Sequence, residues 1–236
     1  MVGDSRERLI LALDVRSADE AKRFLDRVGE SVGFVKIGLE LFTAGGPEIV
    51  RWALAQRKRI FLDLKLLDIG ETVKRATAAA ADLGVTFFTV HAAGQTVRAA
   101  VEGRATSPMK ILAVTVLTSF AESDLRESGL QGSLHEVVLQ RARLAASCGA
   151  DGVVASGIEA PMIRQALGKD VTIVTPGIRP VGASRDDQAQ VVTPTTALAA
   201  GADYLVVGRP IRDAADPAAA ARAIQAEIAA ACGVRF

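Results

Sequence analysis

Short apolar runs alternate along this chain with longer segments of helical periodicity. The runs are six to eight residues long, are rich in Val, Ile, Leu and Phe, and lie at 9–14, 33–38, 60–65, 86–91, 110–117, 151–156, 171–176 and 203–208. Continuous apolar runs of this length are typical of strands that are buried on both faces. The pattern therefore predicts eight buried strands, each followed by a helix.

Residues at the ends of the intervening segments support this division. Ser17 precedes the first helical segment and Glu20 follows three residues later, which predicts an N-cap with a capping box. Three Ala-rich segments end at Gly84, Gly149 and Gly201, each just before an apolar run. A glycine there is typical of the first residue after a helix. The three segments form a weak internal repeat of helix, glycine and strand.

The alternation of strands and helices predicts a parallel sheet covered by helices. Eight such units in 236 residues fit a (β/α)8 TIM barrel, which typically takes about 250 residues. A doubly wound open sheet is the alternative, but no G-x-G-x-x-G motif follows the first run. We expect one TIM-barrel catalytic domain over residues 1–236, with no linker or low-complexity segment.

Composition narrows the class of protein further. Half of the residues are hydrophobic and 4% are aromatic, which suits a large aliphatic core. The 28 Lys and Arg residues nearly balance 27 Asp and Glu, so neither nucleic acid nor an anionic membrane is an expected partner. The two cysteines, Cys148 and Cys232, form no metal-type cluster. With no apolar run of membrane-spanning length, we expect a soluble cytoplasmic protein.

Charged residues interrupt the third run where a strand is expected to end. In FLDLKLLDIG, residues 61–70, Asp63 and Lys65 point to one side of the strand because side chains alternate, and Asp68 lies in the loop beyond. The C-terminal ends of the strands form the active-site face of a TIM barrel. The other strand ends contribute Asp14, Lys36, His91, Thr118, Ser119, Gly208 and Arg209. We therefore expect a polar cluster at one rim of the barrel.

Structural roles are the alternative for these residues. An isolated Asp-x-Lys is commonly a local ion pair. However, Lys36 and Asp68 are expected at the same rim, which makes four charges with Asp63 and Lys65. Removing each of these charges from water costs several kcal/mol, and a protein that needed only stability would avoid this cost, so the cluster favours a functional site. Thr118 could equally cap the segment after the fifth strand, and Arg179 could be a solvated loop cation. For His91 a hydrogen-bonded position at the rim is preferred over catalysis.

The motifs together resemble one enzyme family. Asp63-Leu-Lys65-Leu-Leu-Asp68-Ile69 is similar to the D-x-K-x-x-D-I signature of the orotidine 5′-phosphate decarboxylase family. LALD, FVKIG, AVTVLTS, GVVAS, VTPGIRP, DDQ and YLVVGRP resemble bacterial members in the same order and at similar spacing. The resemblance covers nearly the whole chain. It implies a TIM barrel that converts orotidine 5′-phosphate to UMP and CO₂ in de novo pyrimidine synthesis, with no metal or organic cofactor.

The resemblance also implies roles for individual residues. Lys65 would protonate C6 of the pyrimidine, flanked by Asp63 and Asp68, and Lys36 would complete an alternating Lys-Asp array. The implied substrate-binding residues are Asp14, Lys36 and Thr72 near the ribose, Asp63 at the substrate carboxylate, Thr118 and Ser119 near the pyrimidine amide, and Arg179, Gln188, Gly208 and Arg209 near the phosphate. The family further implies a homodimer in which Asp68 and Ile69 reach into the partner's site.

The segment LDIG at residues 67–70 departs from the HDIP of many bacterial relatives. Loss of the His and Pro changes the stiffness of this loop and leaves its charged groups in place. The glycine also gives a D-x-K-x-x-D-x-G pattern, which resembles the magnesium-dependent 3-keto-L-gulonate 6-phosphate decarboxylase and hexulose 6-phosphate synthase. Those relatives have an acidic metal ligand near the end of the second strand, where this chain has Lys36, a cation that would repel Mg²⁺.

A non-catalytic nucleotide-binding barrel is the alternative from a different class of protein. Such a barrel would keep the GRP segment at residues 208–210 and would be expected to have lost Lys65 or Asp63, and the chain has both. The fold alone does not separate an enzyme from a binding protein. The charged residues therefore favour the enzyme.

Overall fold

The computed structural model describes residues 5–180 and 192–233. Eight parallel strands form a closed barrel in chain order, which confirms the predicted TIM barrel. The strands are β1 Leu9–Ala12, β2 Phe34–Gly38, β3 Arg59–Leu66, β4 Phe87–His91, β5 Lys110–Val114, β6 Gly152–Val154, β7 Thr172–Thr175 and β8 Tyr204–Val207. The barrel closes where Leu9, Ile10 and Leu11 of β1 pair with residues 205–207 of β8.

Helices follow the strands and cover the outside of the barrel. They are α1 Ala18–Val28, α2 Leu39–Ala55, α3 Gly70–Leu83, α4 Gly94–Arg104, α5 Glu122–Glu127, α6 Leu134–Ser147, α7 Ala160–Leu167, α8 Pro194–Ala199, α9 Arg209–Arg212 and α10 Pro217–Ala231. Short 3₁₀ helices lie at Ser5–Arg8 and Gly29–Ser31. Within the described ranges, no helix has the length and apolar character needed to cross a membrane.

The predicted helix ends are confirmed with one difference. Ser17 caps α1, and its hydroxyl accepts the Glu20 amide at 3.2 Å. The Glu20 carboxylate accepts the amide of Arg16 at 3.2 Å, so the reciprocal bond of the capping box is made one residue earlier than predicted. Gly84 and Gly149 have φ of 84° and 92°, a left-handed conformation that glycine adopts without steric cost.

Five strands end earlier than their apolar runs, by one to three residues, and two of these differences affect the site. β1 ends at Ala12 and β5 ends at Val114, whereas the runs extend to residues 14 and 117. The pattern does not show where pairing stops, because a buried loop residue is as apolar as a strand residue. As a result Asp14 and Thr118 lie in loops at the barrel mouth.

Large apolar side chains fill the lower part of the barrel. The interior cluster consists of Ile10, Ala12, Phe34, Phe61, Phe87, Leu112, Val114, Val154, Val174, Tyr204 and Val206. Its rings pack closely, with the Phe87 centroid 5.0 Å from the centroids of both Phe34 and Tyr204. Side chains two positions further along a strand share its face, so the next interior layer contains Lys36, Asp63 and Thr89. The first layer of polar side chains in the barrel therefore lies directly next to a layer of aromatic side chains.

Candidate active site

Asp63 is a buried carboxylate that lies between two lysines. Its Oδ2 is 2.8 Å from Lys65 Nζ and 3.6 Å from Lys36 Nζ. The Lys36 ammonium also contacts Asp14 Oδ1 at 2.9 Å. Strands β2 and β3 and the loop after β1 thus bring together four of the predicted residues as alternating charges, in the order Asp14, Lys36, Asp63 and Lys65.

The surroundings of Asp63 keep its carboxyl group ionised. Burial alone would raise the pKa of Asp63, but attraction to Lys36 and Lys65 and hydrogen bonds from Lys65 and Thr89 outweigh burial and lower this pKa below its ordinary value. Thr89 donates its hydroxyl to Asp63 Oδ1 at 2.9 Å. The site therefore holds a negative charge in a place that is nearly closed to water.

The backbone of β3 is irregular at Lys65. The register between β3 and β4 shifts between Leu62 and Leu66, and the Lys65 amide donates to the Thr89 hydroxyl at 3.0 Å. Lys65 has a φ of 51°, a left-handed conformation that costs about 1–3 kcal/mol outside glycine. A regular alternation of side chains did not predict this distortion, which places a strained residue beside the buried carboxylate.

A cavity of about 350 Å³ opens above these charges, a volume within the usual range for small-molecule sites. Its apolar wall is formed by Ala12, Phe61, Val114, Val116, Leu117, Val154 and Val206. Its polar residues are Asp14, Lys36, Asp63, Lys65, Thr118, Arg179, Arg209 and Arg212, and Pro176, Gly177 and Gly208 complete the lining. The cavity thus combines an apolar wall with charges of both signs.

Three arginines line the cavity on the side of β7 and β8. Arg179 follows β7 and is 4% exposed, and its amide donates to Val192 O at 3.1 Å. Arg209 is the first residue of α9, with Gly208 as its N-cap. Arg212 ends the same helical turn. Because β7 is four strands from β3 in the closed barrel, this cationic end lies across the cavity from Asp63.

Three predicted site residues, Asp68 and Ile69 of the expected partner contact and Thr72 of the expected ribose contact, are not among the described residues that line this cavity. Asp68, Ile69 and Thr72 are exposed, and Ile69 is 70% exposed. Asp68 Oδ1 accepts the Ile69 amide at 2.6 Å. Ser119 is also exposed and is not among the described lining residues. Gln188 lies outside the described residues.

Sequence reasoning missed two residues of the site. Thr89 forms hydrogen bonds with both Asp63 and Lys65. The sequence indicated it only through its place two residues before His91, which puts both side chains on the inner face of the strand. Arg212 lines the cavity, and its signal was the spacing of three residues from Arg209, which places both on one turn of a helix. Neither position carried a charge pattern or motif that distinguished it.

His91 ends β4 at the edge of the site and is half-buried. Burial lowers the pKa of His91 below its ordinary value, the positive charges of Arg141 and Lys65 lower it further, and Asp63 opposes them. Arg141, on α6, donates to Thr115 O at 2.8 Å. The surroundings of His91 therefore favour the neutral imidazole.

The magnesium alternative requires a cluster of acidic or other metal-ligating side chains at the end of β2. Across residues 5–180 and 192–233, no three His, Cys, Asp or Glu side chains come together in a way that could hold a metal ion. The position that would carry an acidic ligand holds Lys36, whose ammonium contacts Asp14 and Asp63. The arrangement at this strand end is one of ion pairs.

Comparisons with known proteins identify the family of this chain. The family model of the orotidine 5′-phosphate decarboxylase / HUMPS family matches residues 7–224. The chain is 53% identical over 224 residues to an orotidine 5′-phosphate decarboxylase of Rhodopseudomonas palustris strain HaA2, with 95% of each chain covered. It is 52% identical over 227 residues to the Methylobacterium sp. strain 4-46 enzyme of that name, covering 95% of this chain and 96% of the relative.

A solved structure supports the same assignment. The crystal structure of orotidine 5′-phosphate decarboxylase from Lactobacillus acidophilus aligns with a TM-score of 0.83 and 39% identity, over 93% of this chain and 98% of the other. The matching family model, the relatives and this structure all cover nearly the whole length of the barrel. The chain belongs to the orotidine 5′-phosphate decarboxylase / HUMPS family.

Proposed function

We propose that this protein decarboxylates orotidine 5′-phosphate to UMP in de novo pyrimidine synthesis, without a metal or organic cofactor. The observation that carries the proposal is the position of ionised Asp63 between the ammonium groups of Lys36 and Lys65, across one cavity from a cationic end. Orotidine 5′-phosphate has matching parts, namely a pyrimidine ring with a carboxylate at one end and a phosphate dianion at the other. Relatives at 53% and 52% identity carry the name of this enzyme.

The proposed reaction replaces a C6–carboxylate bond with a C6–H bond. When CO₂ leaves, the electron pair stays at C6 in an orbital that the pyrimidine π-system does not delocalise. The protein must then stabilise this charge with groups that are already oriented. The Lys65 ammonium, held at 2.8 Å by Asp63, is such a group, and it then donates its proton to C6.

Asp63 has a second proposed role towards the substrate carboxylate. Its lowered pKa keeps it ionised, so the two carboxylates repel each other until CO₂ departs. The main contribution in this proposal is nevertheless the fixed orientation of Lys36 and Lys65, since neither ammonium group has to reorganise as charge develops.

The cationic end is the proposed phosphate site. Arg179 and Arg209 would contact the phosphate, and the backbone N–H groups at Gly208 and Arg209 lie after the eighth strand, where TIM barrels commonly bind phosphate. Gln188 is proposed to join them. Thr118, on the apolar side, would face the pyrimidine amide. Binding energy from the phosphate would help to hold C6 against Lys65.

A second copy of the chain is proposed to complete the site. Leu39, Leu67 and Ile69 follow β2 and β3 at the barrel mouth and are 56%, 63% and 70% exposed. Large apolar side chains exposed together favour burial against another protein surface. In the proposed homodimer, Asp68 and Ile69 from one protomer reach the site of its partner. Thr72, in the first turn of α3, would contact the ribose region from the same side.

Two broader proposals concern the chain as a whole. We place the protein in the cytoplasm, because the proposed reaction belongs to nucleotide synthesis and the two cysteines are unpaired thiols. Residues 1–236 are proposed to form one catalytic domain, because strands from both ends of the described chain pair to close the same barrel.

The direct experiment is to mix the purified protein with orotidine 5′-phosphate, to follow pyrimidine absorbance and to identify UMP as the product. Exhaustive EDTA treatment in parallel tests the magnesium-dependent alternative, because cofactor-free decarboxylation should proceed at an unchanged rate. Failure to consume orotidine 5′-phosphate, with the protein folded, would reject the proposed function.

A further inference from the structure

Arg212 makes a fixed set of hydrogen bonds at the end of α9. Its Nε donates to Asp213 Oδ1 at 2.7 Å and its Nη2 donates to Asp213 Oδ2 at 3.1 Å. The third nitrogen, Nη1, donates to the backbone carbonyl of Asp14 at 3.0 Å. A two-bond pairing with a carboxylate fixes the plane of a guanidinium group. Asp213 thus aims the remaining nitrogen at the chain after β1.

This contact crosses the seam between the first and the last strand. The pairing of β1 with β8 ends at Leu11 opposite Val207, so Asp14 lies three residues beyond the last pair. The Arg212 bond joins positions 198 residues apart in the chain. This bond therefore fixes a loop residue that lies beyond the hydrogen bonds between β1 and β8.

Asp14 is in turn part of the charged array. Its carboxylate contacts the Lys36 ammonium at 2.9 Å, and that ammonium lies 3.6 Å from Asp63. A continuous set of polar contacts therefore runs from α9 to the buried carboxylate. Because α9 begins with Arg209, it connects the cationic end of the cavity with the end that contains Lys65.

We propose that Arg212 is a positioning residue that ties Asp14 to α9 and so fixes the positions of the Asp14 carboxylate and the Lys36 ammonium beside Asp63. The proposal rests on the proposed function. Asp14 and Lys36 are the expected contacts of the ribose, which orotidine 5′-phosphate and orotidine share, so their positions should affect both substrates. Small displacements of positioning groups reduce rates strongly.

The competing role for Arg212 is direct contact with the substrate phosphate, since its side chain lines the cavity. The two roles differ in what they depend on. A positioning residue acts through Asp14 and should matter equally for orotidine, which lacks the phosphate. A phosphate ligand should matter only when the phosphate is present and should not depend on the Asp14 side chain.

The experiment is a double-mutant cycle of Arg212→Ala and Asp14→Ala, assayed with both orotidine 5′-phosphate and orotidine. We expect Arg212→Ala to lower kcat/KM about tenfold or more on both substrates. In the Asp14→Ala background the same change should cost less than about twofold, because the group it positions is gone. Arg51→Ala is the control, since Arg51 pairs with Glu48 and is not among the described cavity-lining residues.

Two further variants keep the test independent of folding defects. Asp213→Ala retains the Arg212 charge and removes its orientation, and Asp213 lines a separate cavity of about 330 Å³. It should lower kcat/KM in the same direction as Arg212→Ala. Arg212→Lys keeps the charge without the two-bond pairing and should not restore activity. Equal activity of wild type and Asp213→Ala would overturn the proposal, as would a loss in Arg212→Ala that disappears on orotidine.

Binding of UMP, measured by calorimetry, separates this proposal from the proposed function. UMP has the ribose and phosphate, so Arg212→Ala should weaken its binding in the wild-type background and have little effect in Asp14→Ala. A wild-type protein that fails to decarboxylate orotidine 5′-phosphate would reject the function alone. Additive effects on UMP binding would reject the role of Arg212 alone.

Discussion

Thr89, on β4, donates its hydroxyl to Asp63 Oδ1 at 2.9 Å. Both lysine contacts of this carboxylate are made by its other oxygen, Oδ2. Thr89 also accepts the amide of Lys65 at 3.0 Å. One neutral hydroxyl therefore orients the buried acid and the irregular backbone that carries its lysine partner.

Replacement of Thr89 by Val should reduce both stability and activity. The substitution keeps the shape of the side chain and leaves Asp63 Oδ1 and the Lys65 amide without this partner. Loss of a buried hydrogen-bond partner typically costs about 1–3 kcal/mol in the free energy of unfolding. We expect a loss of this size in urea unfolding and at least about a tenfold fall in kcat/KM.

Thr77→Val is the matched control for Thr89→Val. Thr77 is fully buried in α3, and none of the described residues provides a hydrogen-bond partner for its hydroxyl. Its replacement should leave stability unchanged or slightly increased, with normal activity. Equal behaviour of the two variants would contradict the assigned role of Thr89.

Lys65→Ala should abolish turnover while the barrel remains folded. We expect kcat to fall by at least about 10⁴-fold, because the proton donor and a charge facing C6 are lost together. Lys58→Ala provides the contrast: its ammonium donates to Gly29 O and Val32 O at the opposite end of the same strand. That variant should lose stability and keep its kcat. Near-normal turnover in Lys65→Ala would exclude the proposed mechanism.

Arg209→Ala should weaken transition-state binding through the phosphate. Removal of a charge-assisted contact to a desolvated dianion should cost roughly 2–5 kcal/mol in kcat/KM. The loss should be much smaller on orotidine, which lacks the phosphate. Steady-state kinetics on the two substrates give this comparison, and equal losses would show that Arg209 does not bind phosphate.

Mixing Lys65→Ala with Asp68→Ala tests the shared site. Each variant should be inactive alone, but a heterodimer would contain one site with both changes and one wild-type site. With random assortment half of the dimers are mixed and half of their sites are whole, so activity should recover to about a quarter of wild type. If exchange of subunits is verified and no activity returns, Asp68 acts within its own protomer.

His91 should make stability fall as the solution is acidified. Burial lowers the pKa of His91 below 6.5 in the folded protein. As the pH falls through 6.5, the unfolded chain therefore binds a proton at this residue before the folded protein does, and the free energy of unfolding decreases. His91→Gln should therefore lose less stability between pH 7 and pH 5 than wild type, measured by urea unfolding. His135→Gln, at an exposed position of α6, is the control and should follow wild type.

The sequence by itself determined the barrel and the centre of the site. Strands buried on both faces must be apolar along their whole length, which made eight of them visible as runs. Alternation of side chains then placed Asp63 and Lys65 on one face. The family motif added roles for Lys36, Arg179 and Arg209, and the structure brings all five side chains to one cavity.

Only the tertiary structure decided what holds those charges in place. Thr89 meets Asp63 across 26 positions and Arg212 meets Asp14 across 198, and no local pattern encodes contacts between such distant residues. The left-handed backbone of Lys65 lies where the register with β4 shifts, and that register depends on the neighbouring strand. Local periodicity fixes which face a side chain occupies, whereas its partners are fixed only when the barrel closes.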